Sequence, residues 1–201
     1  MPYTSLPELI AQAKAGQQIV GLPTDTVPGL AVRPDRGELI FAAKQRSETK
    51  PLILLGASAE DLWPFVGGSA EEQALWRSVA ERHWPGALTL VLPASDRVPS
   101  AINPTDPTTV GLRVPQRAIA RHILAQTGPL ATTSANLSGQ PALQTLEDIA
   151  AQFPQVLLPQ AAEVAAIEGD RPATSGTPST VVKWTGTDWE VLRQGAIALP
   201  L

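Results

Sequence analysis

Cysteine is absent from the 201 residues, which excludes a disulfide scaffold, thiolate zinc ligation and a thiol nucleophile. Histidine is scarce. His83 and His122 both fall in predicted helices with no H-E-x-x-H pairing, so each reads as a surface or satisfied core residue, and no metal bound by protein side chains alone is expected. Aromatic residues make up 4%, leaving little to stack on bases. Charge is sparse too, at 17% with a net of −4. That argues against wholesale coating of nucleic acid but not against a local basic pocket. No segment approaches the roughly 18 consecutive apolar residues of a membrane span. Met1 to Gln18 lacks a basic stretch followed by an apolar run, so no signal peptide is expected and a cytoplasmic location is the default. The G-x-x-x-x-G-K-[ST] and G-x-G-x-x-G phosphate loops are missing, as is the G-x-S-x-G elbow of a hydrolase serine.

What is present is an ordinary globular composition, 43% hydrophobic, with 20 prolines, roughly double the usual frequency. The length fits one domain over 1–201 with a sizeable core. Ser5 with Glu8 forms a capping-box pattern for a helix over about 6–15 that Gly16 closes. Helices are also predicted over 37–44, from Ser69 to about His83, over 116–126 and over 146–152, with Ser58 a further candidate N-cap. Short apolar runs at 18–22, 52–55, 88–92, 109–114, 130–133 and 156–158 read as strands, and 180–184 with 189–192 flank Gly186 as a hairpin. Strands and helices alternate, so the expected class is α/β with a mixed parallel and antiparallel sheet. The Gly/Pro-rich stretch 169–178 is the one linker-like segment and reads as a possible lid.

Four segments carry chemistry. Pro23-Thr24-Asp25-Thr26-Val27-Pro28-Gly29-Leu30 follows a strand, where α/β sheets bind ligands, although the same residues also suit a plain turn. Lys44-Gln45-Arg46-Ser47-Glu48-Thr49-Lys50-Pro51 holds two of the chain's four lysines, and three cations so close suit phosphate, with a solvated loop as the competing reading. Thr132-Thr133-Ser134-Ala135-Asn136-Leu137-Ser138-Gly139 offers small residues and hydroxyls to an oxygen-rich ligand, though such loops are common without function. Arg113, inside Val110–Pro115, and Arg193, after Leu192, place charges in apolar strands, where a ligand anion or an internal acid must pair them.

Taken in order, these segments with Trp84-Pro85-Gly86-x-Leu88-Thr89, Gly111-Leu112-Arg113-Val114-Pro115, Ser179-Thr180-Val181 and Leu192-Arg193-x-Gly195 resemble the YrdC-like family of threonylcarbamoyl-AMP synthases. The resemblance runs from about Leu6 to Ile197, and the chain is similar to the short, single-domain form. It implies a twisted open sheet flanked by helices with a deep, concave basic face. The activity implied is condensation of L-threonine, bicarbonate and ATP to threonylcarbamoyl-AMP and pyrophosphate. Mg²⁺ would be held mainly by the ATP phosphates, and a downstream tRNA-modifying threonylcarbamoyltransferase complex would take the product. By the same resemblance Thr26, Arg113, Thr132 and Ser179 surround threonine. Arg46, Lys50, Thr109, Ser134, Asn136 and Arg193 hold ATP, and Lys44, Arg46 and Lys50 form the catalytic group.

Some positions depart from the family pattern. Pro28 replaces an aromatic wall, Ala31 a glycine, Ser47 a proline, Leu55 a threonine-contacting histidine of longer members, and Ala142 a serine offered to ATP. The Pro28 and Leu55 departures motivate one alternative, a paralogue that adenylates another carbamate. A concave basic face leaves another open, a double-stranded RNA-binding translation or ribosome-assembly factor, with tRNA or double-stranded RNA as its partner.

Overall fold

A computed structural model describes residues 2–169 and 174–198. In chain order the elements are β1 (Tyr3–Thr4), α1 (Leu6–Ala15), β2 (Val20–Leu22), β3 (Gly29–Val32), α2 (Gly37–Lys44), β4 (Ile53–Leu55), α3 (Ala70–His83), β5 (Leu88–Pro93), β6 (Thr109–Arg113), α4 (Ala118–Thr127), β7 (Leu130–Ser134), α5 (Leu146–Gln152), β8 (Leu158–Pro159), α6 (Ala161–Glu168), β9 (Thr180–Trp184) and β10 (Trp189–Arg193). Eight strands form one sheet in the order β10-β9-β5-β6-β4-β7-β3-β2, and β1 pairs separately with β8. The β4–β6 and β5–β9 pairs are parallel and the other neighbours in the large sheet antiparallel. The expected mixed α/β architecture is therefore present. No helix among the described residues is long and apolar enough to cross a membrane.

Strand side chains alternate between faces, and the two faces of this sheet are covered unequally. On one face Leu30, Val32, Leu54, Leu88, Leu90, Leu92, Val110, Leu112 and Val182 pack with Ile40 and Phe41 of α2, Trp76 and Val79 of α3, and Ile149 of α5. On the other, Val20, Leu22, Ala31, Leu55 and Leu130 pack with Leu6, Leu9, Ile10 and Ala13 of α1 and Ile119, Ala120, Ile123 and Leu124 of α4. That second layer stops at β4. Beyond it Thr89, Val91, Thr109, Gly111, Arg113, Val181 and Lys183 line an open cleft. Register aligns a row across its floor: Lys183 beside Val91, Val91 beside Gly111, Gly111 beside Ile53 and Ile53 beside Thr132.

The second layer corrects the sequence reading at several points. Ser5 adopts the extended N-cap conformation but its side chain makes no cap bond. Instead the Leu6 N–H donates to both carboxylate oxygens of Glu163, at 3.2 and 3.0 Å. Glu8 is drawn off to accept from Gln12 Nε2 at 2.7 Å. The start of α4 also lacks a local side-chain cap, and there the Ile119 N–H donates to Glu168 Oε1 at 2.8 Å. The same oxygen lies 3.3 Å from Arg117 Nε. Thus α6, a helix the sequence reading lacks, caps both neighbouring helices through two glutamates. Its sequence Ala161-Ala-Glu-Val-Ala-Ala-Ile-Glu168 has no apolar stripe to announce it.

Ser58 does not begin a helix; it closes a turn with Asp61, whose Oδ2 accepts the Ser58 N–H at 2.8 Å. Ser69, by contrast, makes the full reciprocal box with Glu72. The strand predicted at 156–158 pairs as Leu158–Pro159. Strand β3 carries little sequence signal, because Gly29-Leu-Ala-Val32 is short, is preceded by Pro28, and includes residues of low strand propensity. Of the linker-like stretch 169–178, residues 170–173 lie outside those described.

Capping from a distance is separable by mutation. Glu163→Ala should cost about 1 kcal/mol and Glu168→Ala about 2–3 kcal/mol, while Ser5→Ala changes stability by less than about 0.5 kcal/mol. Urea midpoints at constant slope decide it. Equal losses at Ser5 and Glu163 would show that Ser5 caps α1.

Candidate active site

The cleft encloses about 470 Å³, within the range of small-ligand sites. It is built where three loops leave the sheet. In the β2–β3 loop, Thr24 Oγ1 donates to Val27 O at 2.7 Å and so folds a hydroxyl-stabilised turn. Thr24 has spent its one proton there, so Thr26 Oγ1, 3.1 Å away, donates to it. Thr26 Oγ1 in turn accepts from Arg113 Nη1 at 2.8 Å. The result is a directional chain from Arg113 through Thr26 and Thr24 to the backbone.

Arg113 ends β6 and is 4% exposed. Its Nε donates to Gly86 O at 2.8 Å, and its Nη2 lies 2.8 Å from Asp25 Oδ1. That last contact is an ion pair without hydrogen-bond alignment, which leaves buried Nη2 with no acceptor among the described residues. Asp25 Oδ1 is instead aligned with the Gln116 N–H, at 2.9 Å. The internal acid that the sequence left as one alternative for Arg113 is thus Asp25. Burial lowers the Arg113 pKa from its ordinary value, Asp25 opposes that, and the nearby Arg193 charge adds to it.

Arg193 reaches back from edge strand β10, its Nη2 donating to Ser179 O at 2.8 Å and to Ser179 Oγ at 3.2 Å. Ser179 Oγ also lies 2.9 Å from buried Thr89 Oγ1. Thr132 Oγ1 donates to Leu30 O at 2.9 Å, keeping its lone pairs for a ligand. Arg46, half-buried, holds its own loop by donating to Lys50 O at 3.1 Å and Pro51 O at 3.2 Å. Burial lowers the pKa of Arg46 and of Arg193.

Of the residues predicted from sequence, Thr26, Arg46, Thr109, Arg113, Thr132, Ser134, Ser179 and Arg193 all line this cleft, whereas Lys44, Lys50 and Asn136 do not. Lys50 is exposed on its loop. Lys44 is fully buried beneath the site. Its Nζ donates to Ser134 O, and to Asn136 Oδ1 at 3.1 Å. Ser134 Oγ donates to the same Asn136 oxygen at 2.6 Å, so Lys44 braces the Ser134–Asn136 turn from below. Of the departures, Leu55 lines the cleft and Pro28 does not. Sequence reading missed Asp25, Thr89, Lys183, Asn103 and Asp106. The cleft lining carries Arg46, Arg113, Lys183 and Arg193 against one carboxylate, Asp106.

The family model Sua5_yciO_yrdC, described as telomere recombination, matches residues 12–195. The chain belongs to this family. The Bacillus subtilis threonylcarbamoyl-AMP synthase is 33% identical to it over 198 residues, covering 94% of this chain and 54% of that protein. A Vibrio campbellii protein of the same name is 31% identical over 194 residues, covering 94% of this chain and 98% of that one. The crystal structure of Pyrococcus abyssi Sua5 complexed with L-threonine superposes with a TM-score of 0.80 at 32% identity, covering 94% of this chain and 54% of that one. The chain therefore spans about half the length of the Bacillus and Pyrococcus relatives and nearly all of the Vibrio one.

In this Sua5/YciO/YrdC member the Lys44 brace is sensitive to pH. Burial, with a smaller contribution from Arg46, pushes the ammonium down from 10.5 to about 7. A folded value below the unfolded one means the cost of burying the charge is complete below about pH 7 and fades as pH rises to 10.5. Wild type should therefore gain stability relative to Lys44→Met between those limits, measured by denaturant unfolding at successive pH values. A flat difference would show that Nζ keeps its proton throughout.

Proposed function

We propose that this chain is an L-threonylcarbamoyladenylate synthase, a nucleotidyltransferase working in the cytoplasm. It condenses L-threonine, bicarbonate and ATP into threonylcarbamoyl-AMP and pyrophosphate for a tRNA-modifying threonylcarbamoyltransferase complex. The observation that carries the reading is the cleft itself. A buried arginine with spare N–H groups sits among threonine and serine hydroxyls, in the same cavity as Arg46 and Arg193. The names of the relatives and the threonine bound to the Pyrococcus protein support it, and favour it over an RNA-binding module.

In this reading Arg113 pairs the threonine carboxylate, and Thr26, Thr132 and Ser179 surround the amino acid. The neutral amine and bicarbonate form a carbamate with loss of water. A carbamate oxygen then attacks the α-phosphorus of ATP, and the bond to the β-phosphate oxygen breaks to release pyrophosphate. Such transfers depend on positioning and charge stabilisation and need no protein nucleophile. Arg46 acts nearest the phosphates, with Thr109, Ser134 and Arg193 holding the rest of the nucleotide. Asn136 shapes the turn that presents Ser134, and Lys50, exposed on the Arg46 loop outside the cleft lining, adds its charge from the rim. Lys44 acts through the Ser134–Asn136 turn. Among the described residues no three His, Cys, Asp or Glu side chains are grouped to hold a metal. In this reading Mg²⁺ enters as the MgATP substrate, on phosphate oxygens.

Purified protein with MgATP and bicarbonate should release pyrophosphate only when L-threonine is present, with a product of threonylcarbamoyl-adenylate mass. Release independent of threonine would point to another carbamate. RNA binding near physiological salt without ATP, and no turnover, would favour the RNA module. Arg46→Ala should raise the KM for ATP roughly tenfold, about 1.4 kcal/mol, with the KM for threonine unchanged. An unaltered ATP KM would remove Arg46 from the phosphate site.

A further inference from the structure

The cleft must sort two anions of very different charge, a polyphosphate and a monocarboxylate, using the same side-chain type for both. Its three arginines are not equivalent. Arg46 and Arg193 donate to backbone carbonyls and a serine hydroxyl, and neither has an acidic partner among the described ion pairs. Arg113 alone of the three is ion-paired, to Asp25. Asp25 does not line the cleft; it stands behind Arg113, with its side chain 17% exposed. It is pinned there twice: its Oδ1 accepts from Gln116 N, and its backbone carbonyl accepts from Ser175 N at 2.9 Å.

We infer that Asp25 is a specificity-determining residue, a fixed counter-charge that makes the Arg113 pocket accept a monocarboxylate and reject phosphate groups. Asp25 cancels the Arg113 charge at close range, so a carboxylate seated against Arg113 where it lines the cleft meets a nearly neutral site. A di- or trianionic phosphate at that position meets Asp25 as a like charge held against the arginine, whereas no acid is ion-paired to Arg46 or Arg193 among the described residues, and the one carboxylate of the lining, Asp106, is accompanied there by Lys183. Selectivity then comes from a repulsive element behind one arginine rather than from additional attraction at the others. The inference rests on the proposed function, since it takes threonine as the carboxylate and ATP as the phosphate. Asp25 acts through Arg113 and touches neither substrate.

The test is calorimetric titration of L-threonine into the full chain at fixed ionic strength, with and without inorganic pyrophosphate. In wild type, pyrophosphate should leave the apparent threonine affinity within about twofold. In Asp25→Asn, which keeps the size of the side chain and an acceptor for Gln116 N, pyrophosphate should enter the Arg113 pocket and weaken threonine binding tenfold or more. Asp25→Glu, which restores the charge, should recover at least part of the wild-type resistance. A merely structural role would change stability or threonine affinity without creating this competition. Pyrophosphate competing with threonine in wild type overturns the assignment even if the variants fail to fold, as does equal resistance in wild type and Asp25→Asn. Absence of threonine binding to wild type overturns the functional reading itself, and this inference with it.

Discussion

At 4% exposure, the Arg113 guanidinium sits where an unpaired charge would cost several kcal/mol, so its partners are obligatory. They come from segments far apart in the chain: the carbonyl of Gly86 and the paired side chains of Asp25 and Thr26. Each partner is itself anchored. The Gly86 N–H donates to Val114 O, next to Arg113 in sequence. Thr26 is held through Thr24. The backbone carbonyls of Asp25 and Thr26 receive the N–H groups of Ser175 and Gly176, tying in the approach to β9. Satisfying one buried cation thus joins the β2–β3 loop, the end of β6, the turn after α3 and the segment before β9. Hydrogen-bond networks of this kind stiffen what they join, and this one sets the positions of the Thr24 and Thr26 hydroxyls.

The part of this arrangement legible in sequence was what local chemistry reveals. A lone arginine in Val110–Pro115 announces a buried charge, but the acid that pairs it, Asp25, adjoins Thr26, which is itself 87 positions from Arg113, and meets it only through the fold. Asp25 therefore reads equally well as part of a plain turn or of a ligand-binding loop. Lys44 misleads for a different reason. Its nearness to Arg46 and Lys50 suggests a cationic cluster, yet it follows Ile40 by four residues and Phe41 by three on α2. Those spacings put it on the helix face that points into the core, where the structure buries it. The sheet and most helices were legible because alternation and helical spacing survive in short windows. Strand β3 and helix α6 were not, since both are rich in alanine or glycine and take their structure from neighbours rather than from pattern.

Helix α6 shows what such elements contribute. The helices α1 and α4 that cover one half of the inner sheet face lack side-chain caps of their own, and Glu163 and Glu168 supply them from α6. The orphan N–H groups at each start are thereby met by carboxylates at the positive end of the helix dipole. This fixes where the second layer ends, and the edge of that layer is the wall of the cleft, with Leu55 belonging to both.

What keeps the other half of the face open is the size of its floor residues and the contacts that hold them. A Cβ on Gly111 would lie 2.7 Å from Ile53 Cγ2, and one on Gly29 would lie 2.7 Å from Thr132 Oγ1. Neither position has room for a side chain unless a neighbour moves. Thr132 and Thr89 meanwhile spend hydrogen bonds on Leu30 O and Ser179, so a polar floor is satisfied by the protein while oxygen lone pairs still face the cavity. Apolar strand residues at these positions would have called for a covering helix to bury them. Threonine and glycine remove that demand, and the open cleft is therefore a property of the alternating strand sequence rather than of a missing layer.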